Sequence, residues 1–158
     1  MSFSRMVLDA IDWTATEVMQ GSGTDLKNAI ATFLEAGTSE QAAELWWGLE
    51  GSAFAQNTLY GAAEPTVDVM MAALADQPPG HLRVWILEVL RFILTGASED
   101  DPELAGRCKA AAMRGAWMLA VEARRTEEEA ERQAILEVLD HIDSKFSPLL
   151  RGVGGGLP

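Results

Sequence analysis

Enzymatic and metal chemistry need residues that pass a proton, attack an electrophile or hold an ion, and here those residues are sparse and scattered. The two histidines, His81 and His141, fall in separate segments, and Cys108 is the one cysteine. No spacing matches a metal clasp such as H-E-x-x-H, so no metal site is expected. Cys108 lies on the apolar side of a helical pattern, where a small core residue fits better than a thiolate nucleophile. Carboxylates are plentiful, but they fall at helix starts or on polar faces, and their spacing encodes no acid–base pair. The glycine-rich end, residues 152–158, has no strand before it and no helix after it, so it lacks the setting of a phosphate loop. It reads as a flexible tail behind a single domain at 1–151. The expectation is a protein that is not an enzyme and uses no cofactor.

Charge and aromatic surface remain. Twelve basic residues against 24 acidic give a net charge of −12 and a pI near 4.5, which repels phosphate backbones and argues against nucleic acid as a partner. The acid is concentrated in Ser98–Glu103, with Glu99, Asp100, Asp101 and Glu103, and in Glu127–Glu131. Such blocks suit helix N-termini, where the backbone dipole favours anions, and they also suit a basic partner. Trp46, Trp85 and Trp117 fall on apolar faces and are expected in the core. Trp47 is different: Leu45, Trp46 and Leu49 share a face, Trp47 points away, and Glu44 and Glu50 flank it. It reads either as an exposed anchor for a partner or as a residue packed under the Phe54–Tyr60 connector.

The elements that would position these groups are helical. Apolar residues make up 48% of the 158 residues, enough for one substantial core, and they recur at helical rather than strand spacing. Phe3–Gln20 is expected as two short pieces or one fraying helix, because Thr14 and Thr16 are poor helix-interior residues, and Gly21–Gly23 ends it. Thr24 is the expected cap of the next helix, with Leu26, Ala29, Ile30, Phe33 and Leu34 in register up to Gly37. Thr38 and Gln41 make a capping box for a helix running to Leu49, and the short turn between these two helices makes them antiparallel. After the aromatic connector, Pro65 sits in the first turn of a helix that Gln77-Pro78-Pro79-Gly80 terminates. His81–Leu94 is apolar almost all round and should lie centrally. Asp101-Pro102 starts a helix whose face is Leu104, Cys108, Ala111, Ala112, Gly115, Met118 and Leu119. Thr126 and Glu129 box the start of a last helix. Pairs therefore begin near Thr24, Glu64 and Asp101, a period of about forty residues, which is the mark of stacked helix repeats. The expected fold is all-α, a right-handed α-solenoid of about three HEAT-like antiparallel helix pairs.

Several of these segments resemble a compact bacterial HEAT-like repeat family. The likeness is carried by Ile11–Trp13, by Gly21–Gly23, and by the run AFAQNTLYGAAEPTVDVMMAALAD at Ala53–Asp76, in which Gln56, Thr58 and Tyr60 form a Gln-x-Thr-x-Tyr turn before small residues, a proline and an apolar helix. It covers residues 8 to 123 and implies a chain break near Trp13. Members often carry His where Ala55 stands, so no histidine role is carried over. Members often lie beside toxin genes, and the resemblance therefore implies an immunity or binding protein.

In a stacked architecture the second helix of each pair lines a shared concave wall. Glu40, Glu44, Trp47 and Glu50 would line it in the first pair, Glu88 and Arg91 would extend it, and the Glu99–Glu103 loop is a further acidic contact. A negative wall with an aromatic anchor suits a basic protein ligand. The favoured expectation is a cytoplasmic immunity protein that neutralises a cognate toxin by direct binding. The cytoplasmic assignment follows from the single cysteine, the lack of a signal-peptide pattern and an apolar stretch, Val84–Leu94, too short to span a bilayer. An adaptor or scaffold that binds without inhibiting is the alternative. A HEAT-like glycosylase acting on DNA is a further one, opposed by a charge that cannot build a basic groove.

Overall fold

Helical periodicity resolves, in a computed structural model that describes residues 1–146, into eight α-helices and a two-stranded hairpin. The helices are α1 (Phe3–Ala10), α2 (Gly23–Leu34), α3 (Ser39–Leu49), α4 (Ala63–Ala75), α5 (Gly80–Leu94), α6 (Leu104–Met113), α7 (Ala116–Arg125) and α8 (Glu129–Ile142), and the hairpin is β1 (Phe54–Ala55) with β2 (Thr58–Leu59). The expected tail at 152–158, with the last residues assigned to the domain, lies outside the described residues. Among the described residues no helix is long and apolar enough to cross a membrane.

The first segment breaks where Trp13 enters the core. Its indole N–H donates to the Leu8 carbonyl at 2.8 Å, and a single 3-10 turn, Trp13–Ala15, comes next. α1 is held from a distance: the Asp76 carboxylate, at the end of α4, accepts from the backbone N–H groups of Phe3 and Ser4 at 2.7 and 2.9 Å. Two of the orphan donors of the first turn are thereby satisfied. Burial raises the Asp76 carboxyl, and the bonds from Ser4 and Phe3 outweigh it, so the group sits below the ordinary carboxylate range. A carboxyl lowered on folding stabilises fully above its unfolded pKa, near 4, and loses that contribution as pH falls through the folded value. Asp76→Ala is expected to weaken α1 by at most about 1 kcal/mol, the scale of a lost helix cap. Amide exchange should quicken in α1 and stay unchanged in α5.

α2 starts earlier than Thr24. Ser22 is the cap, its hydroxyl accepting from the Asp25 N–H at 3.1 Å while the Asp25 carboxylate accepts from the Ser22 N–H at 3.0 Å, and Thr24 is already helical. Thr38 caps α3 as expected, but Gln41 reaches back to the Gly37 N–H, one residue beyond the cap. The aromatic connector is more regular than its composition suggests. Phe54 pairs with Leu59 and Ala55 with Thr58, and Gln56 takes a positive φ of 52° to make the turn. The chain after α5 docks on the hairpin, Ala97 donating to the Asn57 carbonyl and accepting from the Leu59 N–H, both at 2.9 Å.

The last third departs from expectation. α6 begins after Glu103, not at Asp101, and the small-residue face does not run on as one helix, because the chain breaks at Arg114–Gly115. A Cβ at Gly115 would meet the Met71 Cε, the free end of a flexible α4 side chain, at 2.7 Å. Trp117, expected in the core, is 67% exposed: Ala116, Leu119, Ala120 and Ala123 form the buried face of α7, and Trp117 lies off it, touching Phe146 edge to face at 5.5 Å. The Thr126–Glu129 box is also absent, since α8 starts after Glu128, whose N–H donates to the Thr126 hydroxyl. The final region is three helices in place of one pair, two of 10 residues and one of 14.

Packing runs α2 on α3, α4 on α5, and α7 on α8, with α3 also on α5, α5 on α8, and both α1 and α6 on α4. One hydrophobic cluster extends from Leu8 to Phe146, and α4 and α5 contribute its centre with Val67, Met70, Ile86, Val89, Leu90 and Ile93. α5 is central, as its all-round apolarity suggested, and α4 shares that place.

Candidate interaction face on α3 and α5

Where α3 crosses α5, aromatic rings gather around Trp46. Its ring centroid lies 5.1 Å from that of Trp47, 5.1 Å from Phe92, 5.9 Å from Phe54 and 6.5 Å from Trp85, and the contacts with Trp47, Phe92 and Phe54 are edge to face. Edge-to-face pairs add about 0.5–1.5 kcal/mol each to what area burial supplies, so ring contacts as well as burial hold the cluster together. Trp46 itself is buried, and its indole N–H finds no hydrogen-bond partner among the described residues. The Trp85 indole N–H donates to the Ser39 hydroxyl at 3.1 Å, tying α5 to the first turn of α3.

The outermost ring is Trp47, 66% exposed. Of the two sequence readings, an exposed anchor or a residue packed under the connector, the structure has the exposed one; Phe54 packs against Trp46 and Phe92 instead. Glu40, Glu44 and Trp47 fall at i, i+4 and i+7 on α3, one face of the helix, and all three are exposed. Glu50 ends α3, half-buried, its backbone bridging to Phe54. Glu88 and Arg91 form a two-point ion pair on α5, at 3.2 and 2.9 Å, and the Arg91 guanidinium sits 4.7 Å over the Phe92 ring. That pair illustrates locally what the face offers a cation: an aromatic ring beneath and a carboxylate beside it.

Among the described residues no ion pair links the acidic loop to this constellation. Glu99, Asp100 and Glu103 are exposed, and Asp101 is engaged by Arg107, which also reaches Glu64 on α4. Arg107 holds the Asp101 carboxyl below its usual range. Among the described residues, the loop's ion pairs run to α6, and none reaches α3 or Glu88. Sequence reasoning missed Trp85 and Phe92 as surface: both are half-buried, seven residues apart on α5, and the spacing around Glu88 and Arg91 was the available signal.

Groups capable of chemistry lie elsewhere. Cys108 is fully buried, and burial, helped by the Glu64 carboxylate, pushes its thiol up to about 12. The His81 Nε2 lies 3.0 Å from the Ala36 carbonyl, and His141 lies 3.9 Å from Glu137. Among the described residues no three His, Cys, Asp or Glu side chains converge as a metal site. Comparison of the chain with models of protein families, with curated proteins and with solved structures found no match.

Proposed function

We propose that this chain is an immunity protein that binds a cognate bacterial toxin through the α3–α5 face and so neutralises it. The observation that carries the reading is Trp47, two-thirds exposed on a platform of packed rings and bordered by Glu40 and Glu44 on α3, with Glu88 and Arg91 on the neighbouring helix. An exposed tryptophan backed by packed rings is the kind of residue that dominates protein interfaces, and loss of such an anchor costs more than loss of its neighbours. A chain at −12 steers basic surfaces toward itself and slows acidic ones, so the contact surface of the partner is basic. The row α3, α5 and α8 is the part of the packing that a HEAT-like solenoid shares, each of the three also packing on a neighbour, α2, α4 or α7, outside that row. The step from binder to toxin inhibitor rests on the family resemblance.

The test has two stages. The full chain is used as bait in its native host, and the captured protein is then expressed in a naive bacterium with and without this chain. Capture of a growth-inhibiting protein, with growth restored by co-expression, is the expected result. Capture of a harmless protein would assign the chain to the adaptors, and toxicity that persists beside a bound chain would remove the inhibitor reading.

A further inference from the structure

α1, α4 and α6 enclose a groove of about 420 Å³, within the size range of small-molecule pockets. Val7 of α1, Ile11 just after it, Met71 and Ala75 of α4 and Met118, near the start of α7, are among its lining residues. Small residues at Ala72 and Ala111 leave the space open, and the two methionines can re-pack around whatever enters. Phe3 lines the groove and is 53% exposed, an apolar ring that a bound chain would cover. The groove shares no residue with the α3–α5 face, so the inference stands apart from the toxin-binding proposal.

Two charged residues line the groove, Asp68 on α4 and Arg114 at the end of α6, paired at 2.6 Å. They are unequal: the Arg114 side chain is 70% exposed and that of Asp68 33%, so solvent at the mouth meets mainly the guanidinium. A guanidinium carries five N–H donors, and Arg114 gives one to Asp68. A second carboxylate can therefore bind Arg114 while Asp68 keeps its bond. Asp68 can likewise accept more than the one bond it takes from Arg114, but its side chain is the more covered of the two. We propose that this groove binds an amphiphilic carboxylate, its unbranched apolar chain lying along Met71 and Met118 and its head on Arg114. A net charge of −12 opposes any anion, so the hydrocarbon supplies the affinity and Arg114 selects the head group.

Seven methionines make the methyl resonances a direct reporter. Dodecanoate, kept below its micellar concentration, is titrated into the full chain with labelled methionine methyls. Saturable shifts are expected at Met71 and Met118 and none at Met19, which does not line the groove, and acetate is expected to shift nothing. Dodecyltrimethylammonium should bind at least about tenfold more weakly, the scale of one hydrogen bond to a charged group. Arg114→Gln should erase that preference, and Ala75→Trp, at an exposed lining position, should abolish the shifts; Ala10→Trp on the facing helix does the same if Ala75→Trp does not fold. Equal binding of the cationic detergent, equal shifts at Met19, shifts that survive the groove-filling variants, or no saturable shift at all would each overturn the proposal. So would an amphipathic peptide that saturates the groove where dodecanoate does not.

Discussion

Gly23→Ala is expected to cost at least about 3 kcal/mol of folding stability, the upper range for forcing an atom into a packed site. The reason is steric and local. A Cβ at Gly23 would lie 1.7 Å from the Trp13 carbonyl oxygen and 2.6 Å from the Thr16 hydroxyl, inside any allowed contact. Neither neighbour can yield cheaply, because that carbonyl accepts from both the Thr16 N–H and the Thr16 hydroxyl, and Trp13 is buried with its indole bonded to Leu8. Backbone strain plays no part, since Gly23 is the first residue of α2 and has an ordinary helical conformation. Two other glycines supply the contrast. Gly21 has a φ of +75°, and alanine there should cost about 1–2 kcal/mol from backbone conformation. Gly37, whose added Cβ would meet only the Gln41 side chain at an ordinary 3.6 Å, should tolerate alanine within about 0.5 kcal/mol. Denaturant melts of the three variants, compared by midpoint at constant slope, measure the order. A Gly23→Ala midpoint equal to that of Gly37→Ala would show that the Trp13 turn does not pack against α2.

The same glycine marks the limit of reading the chain by local signals. Gly21–Gly23 reads as a helix stop, and at Gly21 a positive φ is indeed required, but the need for glycine at 23 comes from Trp13, ten residues away. Helices α3 to α5 are legible because each has its own punctuation: Thr38 before α3, Pro65 within the first turn of α4, Pro78 and Pro79 before α5. The break between α6 and α7 is not legible, since Cys108, Ala111, Ala112, Gly115, Met118 and Leu119 keep helical spacing straight through it. Gly115 lies at that break beside the end of the Met71 side chain, a tertiary neighbour that local periodicity does not encode. Trp117 is exposed because it lies off that helical stripe, on the side of Met113, Arg114 and Val121. In the candidate face, Trp47 is legible because it departs from the stripe of its own helix, whereas the platform beneath it depends on how α3 crosses α5. The Asp101 loop reads as free acid until Arg107 is seen to engage it. The groove depends on α1 being pinned to Asp76, more than seventy residues away, and no local pattern announces it.

Trp47→Ala is expected to weaken partner capture about thirtyfold or more, the effect of losing an interface anchor worth about 2 kcal/mol. Its cost to folding should stay near 1 kcal/mol, because one edge-to-face contact with Trp46 is lost and the ring is mostly in solvent. Trp117→Ala is the matched control: the ring is equally exposed, at 67%, but belongs to α7 and has Arg114 three residues before it, where Trp47 has Glu44. Capture should survive it. Reversing Glu44, Glu50 and Glu88 to Lys probes the charge separately. Steering acts on encounter, so the triple variant should associate at least about tenfold more slowly at low salt, with the deficit shrinking as salt is raised, whereas Trp47→Ala should shorten the lifetime of the complex at any salt. Helicity should be unchanged in both, since Glu44 is exposed, Glu50 lies at the helix end, and loss of the partly exposed Glu88 leaves Arg91 stacked on Phe92. Undiminished capture by both variants, with Trp117→Ala or reversal of Glu99, Asp100 and Glu103 proving damaging instead, would move the binding surface off α3 and α5 altogether.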